Sequence, residues 1–279
     1  MRDSADVLAI DDLVVTFTAR QTAIGLDKVS FGVGKEEILG IVGETGSGKS
    51  LTLLAIMGLL PQSARISAGS IRYGARELTS LGSASYRDLR GREISIVVQN
   101  AKAALNPLAR IGDQIMEVYR RKIALDGGAL QLRMRDVLSK VGFRDIDRVL
   151  SAYPHQISGG MAQRILIAIA LGPSPKLVLF DEPTSGLDTT VGVKVMETIQ
   201  RTVREAKASA IVVTHDLGIV ARFCDRVVVM ASGRIVDTAP VEEFFNTGDN
   251  PHRRKLVEAH SWATLAARGD VDTPDGAEG

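Results

Sequence analysis

The segment Gly43-Glu44-Thr45-Gly46-Ser47-Gly48-Lys49-Ser50 fits the pattern G-x-x-x-x-G-K-[S/T]. A loop of this kind wraps backbone N–H groups around phosphate oxygens, so side chains must be absent at Gly43, Gly46 and Gly48. Lys49 supplies a mobile positive charge for β- and γ-phosphates, and the Ser50 hydroxyl suits Mg2+. Glu44, Thr45, Ser47 and Leu51 complete the phosphate-binding stretch. A second segment, LVLFDEP at 177–183, sets two acids after four apolar residues. A buried strand would carry those acids to its C-terminal end, where ligands bind in open α/β sheets. Asp181 then suits a Mg2+ shell, and Glu182 is placed to orient or deprotonate an attacking water. A third segment, ISGGMAQR at 157–164, puts two glycines before the apolar run ILIAIAL. A plain turn accounts for the pair. So does a helix start that bares N–H groups and a positive dipole end toward a phosphate.

These residues need a scaffold, and the chain supplies signals for one. Residues 7–17 and 28–33 have strand composition, and 38–42 form a short apolar run bounded by glycine. Residues 49–59 have helical length and composition, with Pro61 as the stop. Another strand is expected at 94–98. From 100 to 172 strand signals vanish, and helices are expected at about 111–124, 129–142 and 160–171. Strands return at 177–180, 210–213 and 226–230 with helical segments between. Alternation of this kind argues for a parallel α/β sheet with a helical insertion. The expected division is an α/β core from 1–98 and 173–249, a helical unit at 99–172, and a C-terminal segment at 250–279. The last residues, ARGDVDTPDGAEG, have too few apolar side chains to build a packed core and are expected to be disordered.

The 279 residues suffice for a sizeable core, and 45% hydrophobic with 24% charged residues is an ordinary globular balance. A net charge of +1 gives no general attraction to nucleic acid. The clusters Arg120-Arg121-Lys122 and Arg253-Arg254-Lys255 read as solvated faces. One cysteine, Cys224, excludes an internal disulfide and a cysteine-rich metal site, and fits a reducing compartment. The polar start MRDSADV has no secretory h-region, and the apolar run LTLLAIMGLL is about half of what a bilayer requires. The chain is therefore not expected to cross a membrane by itself.

With GETGSGKS, ISGGM, LVLFDEPTSGLD and VVTHD in that order, residues 7–260 resemble the ATP-binding cassette (ABC) family. The resemblance implies a P-loop NTPase (RecA-like) core with an N-terminal antiparallel β subdomain and an inserted helical subdomain. It implies ATP as substrate and Mg2+ as cofactor. It also implies a head-to-tail pair of cassettes, in which Ser158, Gly159, Gly160 and Met161 of one cassette close over the ATP held by the other. By the same resemblance Gln99 matches the Q-loop glutamine that touches Mg2+ or the water, and Asp188 matches the D-loop at the dimer interface. His215 matches the switch histidine that contacts the γ-phosphate, and Phe17 stands where an aromatic ring stacks on adenine.

Further words narrow the likeness. QNAKAALNPL, YPHQISGGMAQR and the late NPHRRKLVEA are similar to the dipeptide, oligopeptide and nickel importer group. That likeness implies two membrane permease subunits, a second cassette (identical or homologous), an extracytoplasmic solute-binding protein, and a place on the cytoplasmic face of the cell membrane. Peptide-type members often carry His-Pro-Tyr-Thr where Asn250-Pro251-His252-Arg253 stands, and a cysteine-bearing extension where this chain has an acidic tail. The solute therefore stays open among peptides, nickel, a metal–chelate or another small molecule. The competing classes are a soluble ABC ATPase of translation or repair and an export cassette. One cassette without a heptad run argues against the first, and the importer-like words against the second.

Overall fold

The computed structural model describes residues 6–18, 23–246 and 253. In chain order the elements are β1 (Leu8–Phe17), β2 (Ala23–Val33), β3 (Ile38–Gly43), α1 (Lys49–Ile56), β4 (Ala64–Tyr73), β5 (Arg76–Glu77), α2 (Ser83–Leu89), β6 (Ile94–Val97), α3 (Ala101–Ala104), α4 (Ile111–Lys122), α5 (Gly127–Lys140), α6 (Ile146–Ser151), α7 (Gly159–Leu171), β7 (Leu177–Asp181), α8 (Thr189–Glu205), β8 (Ser209–Val213), α9 (Leu217–Phe223), β9 (Arg226–Ala231), β10 (Arg234–Pro240) and α10 (Val241–Phe245).

The strands form two sheets. One has the order β2-β1-β4-β5 and is antiparallel, and the other has the order β10-β9-β3-β8-β7-β6. In the second, β6, β7, β8, β3 and β9 are parallel and β10 pairs antiparallel with β9 at the edge. Every residue of β3 and β8 is buried. Strands covered on both faces read as continuous apolar runs, which is why they stand out in the sequence. Side-chain alternation splits each strand between two cores. Ala210 and Val212 of β8, with Val178 and Phe180 of β7, join Tyr119, Ile165 and Ile199 from the helices. Ile211, Val213, Leu177 and Leu179 face the other way and pack with Leu8, Ile10, Leu13 and Val29 of the antiparallel sheet. The six-stranded sheet is thus sandwiched between helices and the antiparallel sheet. The α/β class and the antiparallel sheet match expectation.

Between β6 and β7 the chain forms helices and no strand. Several expected bounds shift. The helix expected at 49–59 ends at Ile56, because Gly58 takes φ +59 and the chain turns there before Pro61 is reached. β2 begins at Ala23 rather than 28. The strands β4 and β10 and the helices α2, α3 and α6 were not foreseen. Among the described residues no helix is long and apolar enough to cross a membrane. The acidic tail lies outside the described residues. Of the basic cluster at 253–255 only Arg253 is described. It is not on a solvated face: it is 14% exposed and binds Asp237 through Nε at 2.9 Å and Nη2 at 3.2 Å.

Candidate nucleotide site

The strand β3 delivers the glycine loop and α1 receives it, the strand–loop–helix arrangement that the motif requires. Gly48 stands at the N-cap of α1 with φ +103 and no side-chain cap, so the first N–H groups of α1 face outward unpaired by any capping side chain. Gly43 has φ +152, and a Cβ there would collide with the Met230 carbonyl oxygen. The loop is braced from behind. Gly233 N–H donates to the Ser47 carbonyl at 3.0 Å, and Asp27 N–H donates to the Gly233 carbonyl at 2.8 Å.

Lys49 curls back over its own loop, donating from Nζ to the Gly43 carbonyl at 2.7 Å and the Glu44 carbonyl at 2.9 Å. Burial lowers its pKa, while the carboxylates of Glu182 and Asp181 act in the opposite direction. The Ser50 hydroxyl donates to Asp181 Oδ1 at 2.9 Å. Burial raises the Asp181 pKa, the Ser50 hydrogen bond opposes that, and neighbouring Glu182 adds to it. The nearby Lys49 ammonium also opposes the rise. A hydroxyl beside a partly buried carboxylate is the oxygen donor set that Mg2+ prefers. Ser50 and Asp181 therefore fit a resident Mg2+.

Strand β7 ends at Asp181, and Glu182 follows with φ +49, in the left-handed region, its N–H held by the Val213 carbonyl at 2.9 Å. A non-glycine residue there costs roughly 1–2 kcal/mol, which the flanking strand pairing must hold in place. The Glu182 side chain is 12% exposed, and His215 Nδ1 lies 3.1 Å from its Oε1 and 2.9 Å from its Oε2. The imidazole itself is 73% exposed. One carboxylate is thus sheltered and gripped by a ring that reaches out to solvent.

A cleft of about 600 Å³ collects Phe17, Thr45, Gly46, Gly48, Lys49, Ser50, Leu51, Gln99 and Glu182, with Ala23, Ile24, Gly25, Ser232 and Gly233. The last five were missed. Ser232 and Gly233 form the turn between β9 and β10, with φ +48 and +77, and only tertiary packing brings that turn to the loop. The sequence signal was a Ser-Gly turn between two apolar runs, with nothing to say where it lands. Phe17 stands at the apolar end, where a Cβ on Gly25 would touch both Phe17 and Leu51. Gln99 is at the cleft and donates from Nε2 to Ser185 Oγ at 3.3 Å.

Ser158, Gly159, Gly160, Met161 and Asp188 do not line this cleft. Ser158 caps α7, its Oγ accepting from Met161 N–H at 3.2 Å. Gly160 lies against α8, where a Cβ would stand 3.0 Å from Val191 Cγ1, whereas at Gly159 the nearest atom would be 3.9 Å away. One glycine of the pair thus has a packing reason and the other is open. Asp188 caps α8, accepting from Val191 N–H at 2.9 Å, and lines a separate depression of about 340 Å³ together with Ser185 and His215. Removing that cap by Asp188→Ala is expected to lower stability by ~1 kcal/mol. Denaturant unfolding of the isolated chain measures this, and an unchanged midpoint would deny the cap any weight.

Comparison with known proteins agrees with this geometry. Residues 26–185 match the model of the ABC transporter family. The chain is 37% identical over 277 residues to the oligopeptide transport ATP-binding protein AppD of Bacillus subtilis, covering 96% of this chain and 84% of that protein. It is 37% identical to the dipeptide transport ATP-binding protein DppD of Haemophilus influenzae, covering 91% of this chain and 77% of that one. In fold it is similar to the ATP-binding cassette MJ0796 in a dimeric post-hydrolysis state with ADP and Pi, with TM-score 0.75, 24% identity, and coverage of 84% of this chain and 98% of that one. It is similar as well to cbiO1 of Clostridium perfringens, part of the transporter complex cbiONQ, with TM-score 0.76, 23% identity, and coverage of 95% and 96%. The family match and these relatives show that the chain belongs to the ABC transporter family, as one of its ATP-binding cassettes.

Proposed function

We propose that this chain is the ATP-hydrolysing subunit of an importer that takes up peptides, or nickel or a related small solute, through two partner permease subunits. The observation that carries the reading is the separation of its two phosphate-binding elements. Thr45, Gly46, Gly48, Lys49 and Ser50 of the loop and Glu182 line one cleft, with Asp181 hydrogen-bonded to Ser50, while the glycine-opened start of α7 lies outside it. Each half is incomplete alone, and two cassettes set head to tail complete both. Ser158, Gly159, Gly160 and Met161 then serve the γ-phosphate end of the partner's ATP, and Asp188 runs along the seam.

Within one half, the Gly43–Ser50 loop and Leu51 hold the triphosphate and Phe17 supports the base. Lys49 leaves its two carbonyls for phosphate oxygens. Ser50 and Asp181 would hold Mg2+, with Gln99 lining the same cleft as Ser50, and the ion would supply charge neutralisation on the phosphates. Glu182 orients the attacking water and accepts its proton, and His215 keeps the carboxylate in place. Water attacks the γ-phosphorus in line, the bond to the β-phosphate oxygen breaks, and ADP and phosphate leave. Most of the acceleration is positioning and charge stabilisation.

The names of the relatives favour a peptide as cargo over nickel. On this reading the chain sits on the cytoplasmic face of the cell membrane, held by the permease subunits, with the extracytoplasmic solute-binding protein an indirect partner. The test is uptake: delete the gene, follow a labelled dipeptide and labelled nickel, and restore either wild type or Glu182→Gln. The expected result is lost dipeptide uptake rescued by wild type alone. Loss of nickel uptake instead would change the cargo. Unchanged uptake of both would remove the import reading for these solutes.

A further inference from the structure

The basic cluster 120–122 ends in Lys122, and it is not simply a solvated face. Lys122 is the last residue of α4, and its Nζ donates to the Arg87 carbonyl in α2 at 2.7 Å. Its aliphatic stem lies on Gly91, where a Cβ would stand 3.3 Å from Lys122 Cε. Next to Gly91 is Arg90, whose side chain reaches the end of the phosphate-loop helix. Nε donates to the Met57 carbonyl at 2.8 Å and Nη2 to the Gly58 carbonyl at 2.7 Å. These are the carbonyls just past the end of α1. The Arg90 guanidinium carbon also stands 5.1 Å from the centre of the Tyr86 ring, and a Cβ on Gly58 would press into that ring at 2.7 Å. The turn that holds Arg90 is fixed by Arg90 N–H to the Tyr86 carbonyl at 2.9 Å, Gly91 N–H to Ile94 at 2.8 Å and Glu93 N–H to Leu89 at 2.9 Å.

Arginine suits this place because its planar fork reaches two carbonyls at once, and a cation at a helix C-terminus complements the dipole. The helix it grips has eight residues, so it is about 12 Å long and transmits a tilt at one end to the other. The other end is the glycine loop. We propose that Arg90 is a positioning residue for the phosphate loop, and that Lys122 joins this clamp to the helices between β6 and β7, giving them a route to the loop separate from Gln99. The inference rests on the nucleotide reading of the cleft.

The test compares the wild-type chain with Arg90→Ala, Arg90→Lys and Lys122→Met. Each is titrated with the magnesium complex of a non-hydrolysable ATP analogue and examined by hydrogen exchange over α1 and α4. The wild type is expected to bind and to gain protection in both helices. Arg90→Ala is expected to weaken binding roughly tenfold, the scale of lost hydrogen bonds to a charged group, with Arg90→Lys restoring part of it. Lys122→Met keeps the stem on Gly91 and is expected to bind with wild-type affinity and protect α1, while α4 no longer responds. A purely structural arginine would lower the melting midpoint of Arg90→Ala yet leave the affinity of the folded fraction unchanged, and that result overturns the positioning role. An unchanged α4 response in Lys122→Met overturns the second route. If the wild type fails to bind the analogue, the nucleotide reading fails and takes the proposal with it, whereas binding by the wild type with unchanged affinity in Arg90→Ala overturns the positioning role and leaves the nucleotide reading standing.

Discussion

Glu182→Gln is expected to lower ATP turnover by about 10²–10⁴-fold, the usual contribution of a positioned general base, while leaving ATP affinity close to wild type. The geometry makes this substitution a clean probe. The amide has the same shape as the carboxylate, so it fits the 12% exposed space and keeps the left-handed backbone at φ +49, which depends on the N–H to Val213 and not on the side chain. It can still meet His215 Nδ1, which lies near both carboxylate oxygens. What it loses is the basicity that lets a carboxylate oxygen take the proton from water, and the negative charge. Losing that charge also removes one of the two carboxylates that support the ammonium of Lys49, so Lys49 should shift slightly further toward its neutral form. The measurement is phosphate release at saturating ATP, with binding followed separately by a fluorescent nucleotide. Equal loss of binding and turnover would mean that Glu182 holds the nucleotide rather than acting on water. Wild-type turnover in the presence of a partner cassette would remove Glu182 from the reaction.

Much of this was readable in advance, for reasons that can be named. The strands β3, β7 and β8 are covered on both faces, so their burial is written as unbroken apolar runs, and the acids and glycines at their ends stand out against them. The strand β4 has no such signature. Most of its residues are exposed or half-buried, and its sequence ARISAGSIRY carries a mid-strand glycine with φ +83. The edge strand β10, RIVDTAP, is hidden in the same way. Pairing with β1 and β9 makes both of them strands, and pairing over distance leaves little trace in a local window. The same limit applies to side chains. Arg253 looked like part of a charged surface, but its partner Asp237 lies on β10, an unforeseen strand. The turn of Ser232 and Gly233 reaches the cleft only because β9 lies beside β3. Motif chemistry is local and legible, and the braces that aim it are contacts between distant segments.

Lys49→Ala is expected to weaken ATP binding by at least about 100-fold, equivalent to ~2.7 kcal/mol at 1.36 kcal/mol per tenfold, while barely changing the stability of the free chain. The two halves of that expectation follow from where Nζ sits. In the free chain it gives hydrogen bonds to the Gly43 and Glu44 carbonyls, contacts that burial of the ammonium partly cancels, as its lowered pKa records. Alanine relieves that desolvation and is the better helix former at the first position of α1. With a triphosphate in the loop the balance inverts. The ammonium then meets phosphate charge in a site partly shielded from water, where a charge-assisted bond has no competing solvent to replace it. Removing it leaves the loop N–H groups, the dipole of α1 and the metal to hold the phosphates without the ammonium. Lys49→Arg distinguishes charge from shape. It keeps the charge, but a rigid guanidinium is bulkier than the compact ammonium that fits between the two carbonyls, so affinity is expected to remain well below wild type. Full affinity in Lys49→Arg would reduce the role of Lys49 to charge alone, and unchanged affinity in Lys49→Ala would show that the nucleotide is not held by this loop.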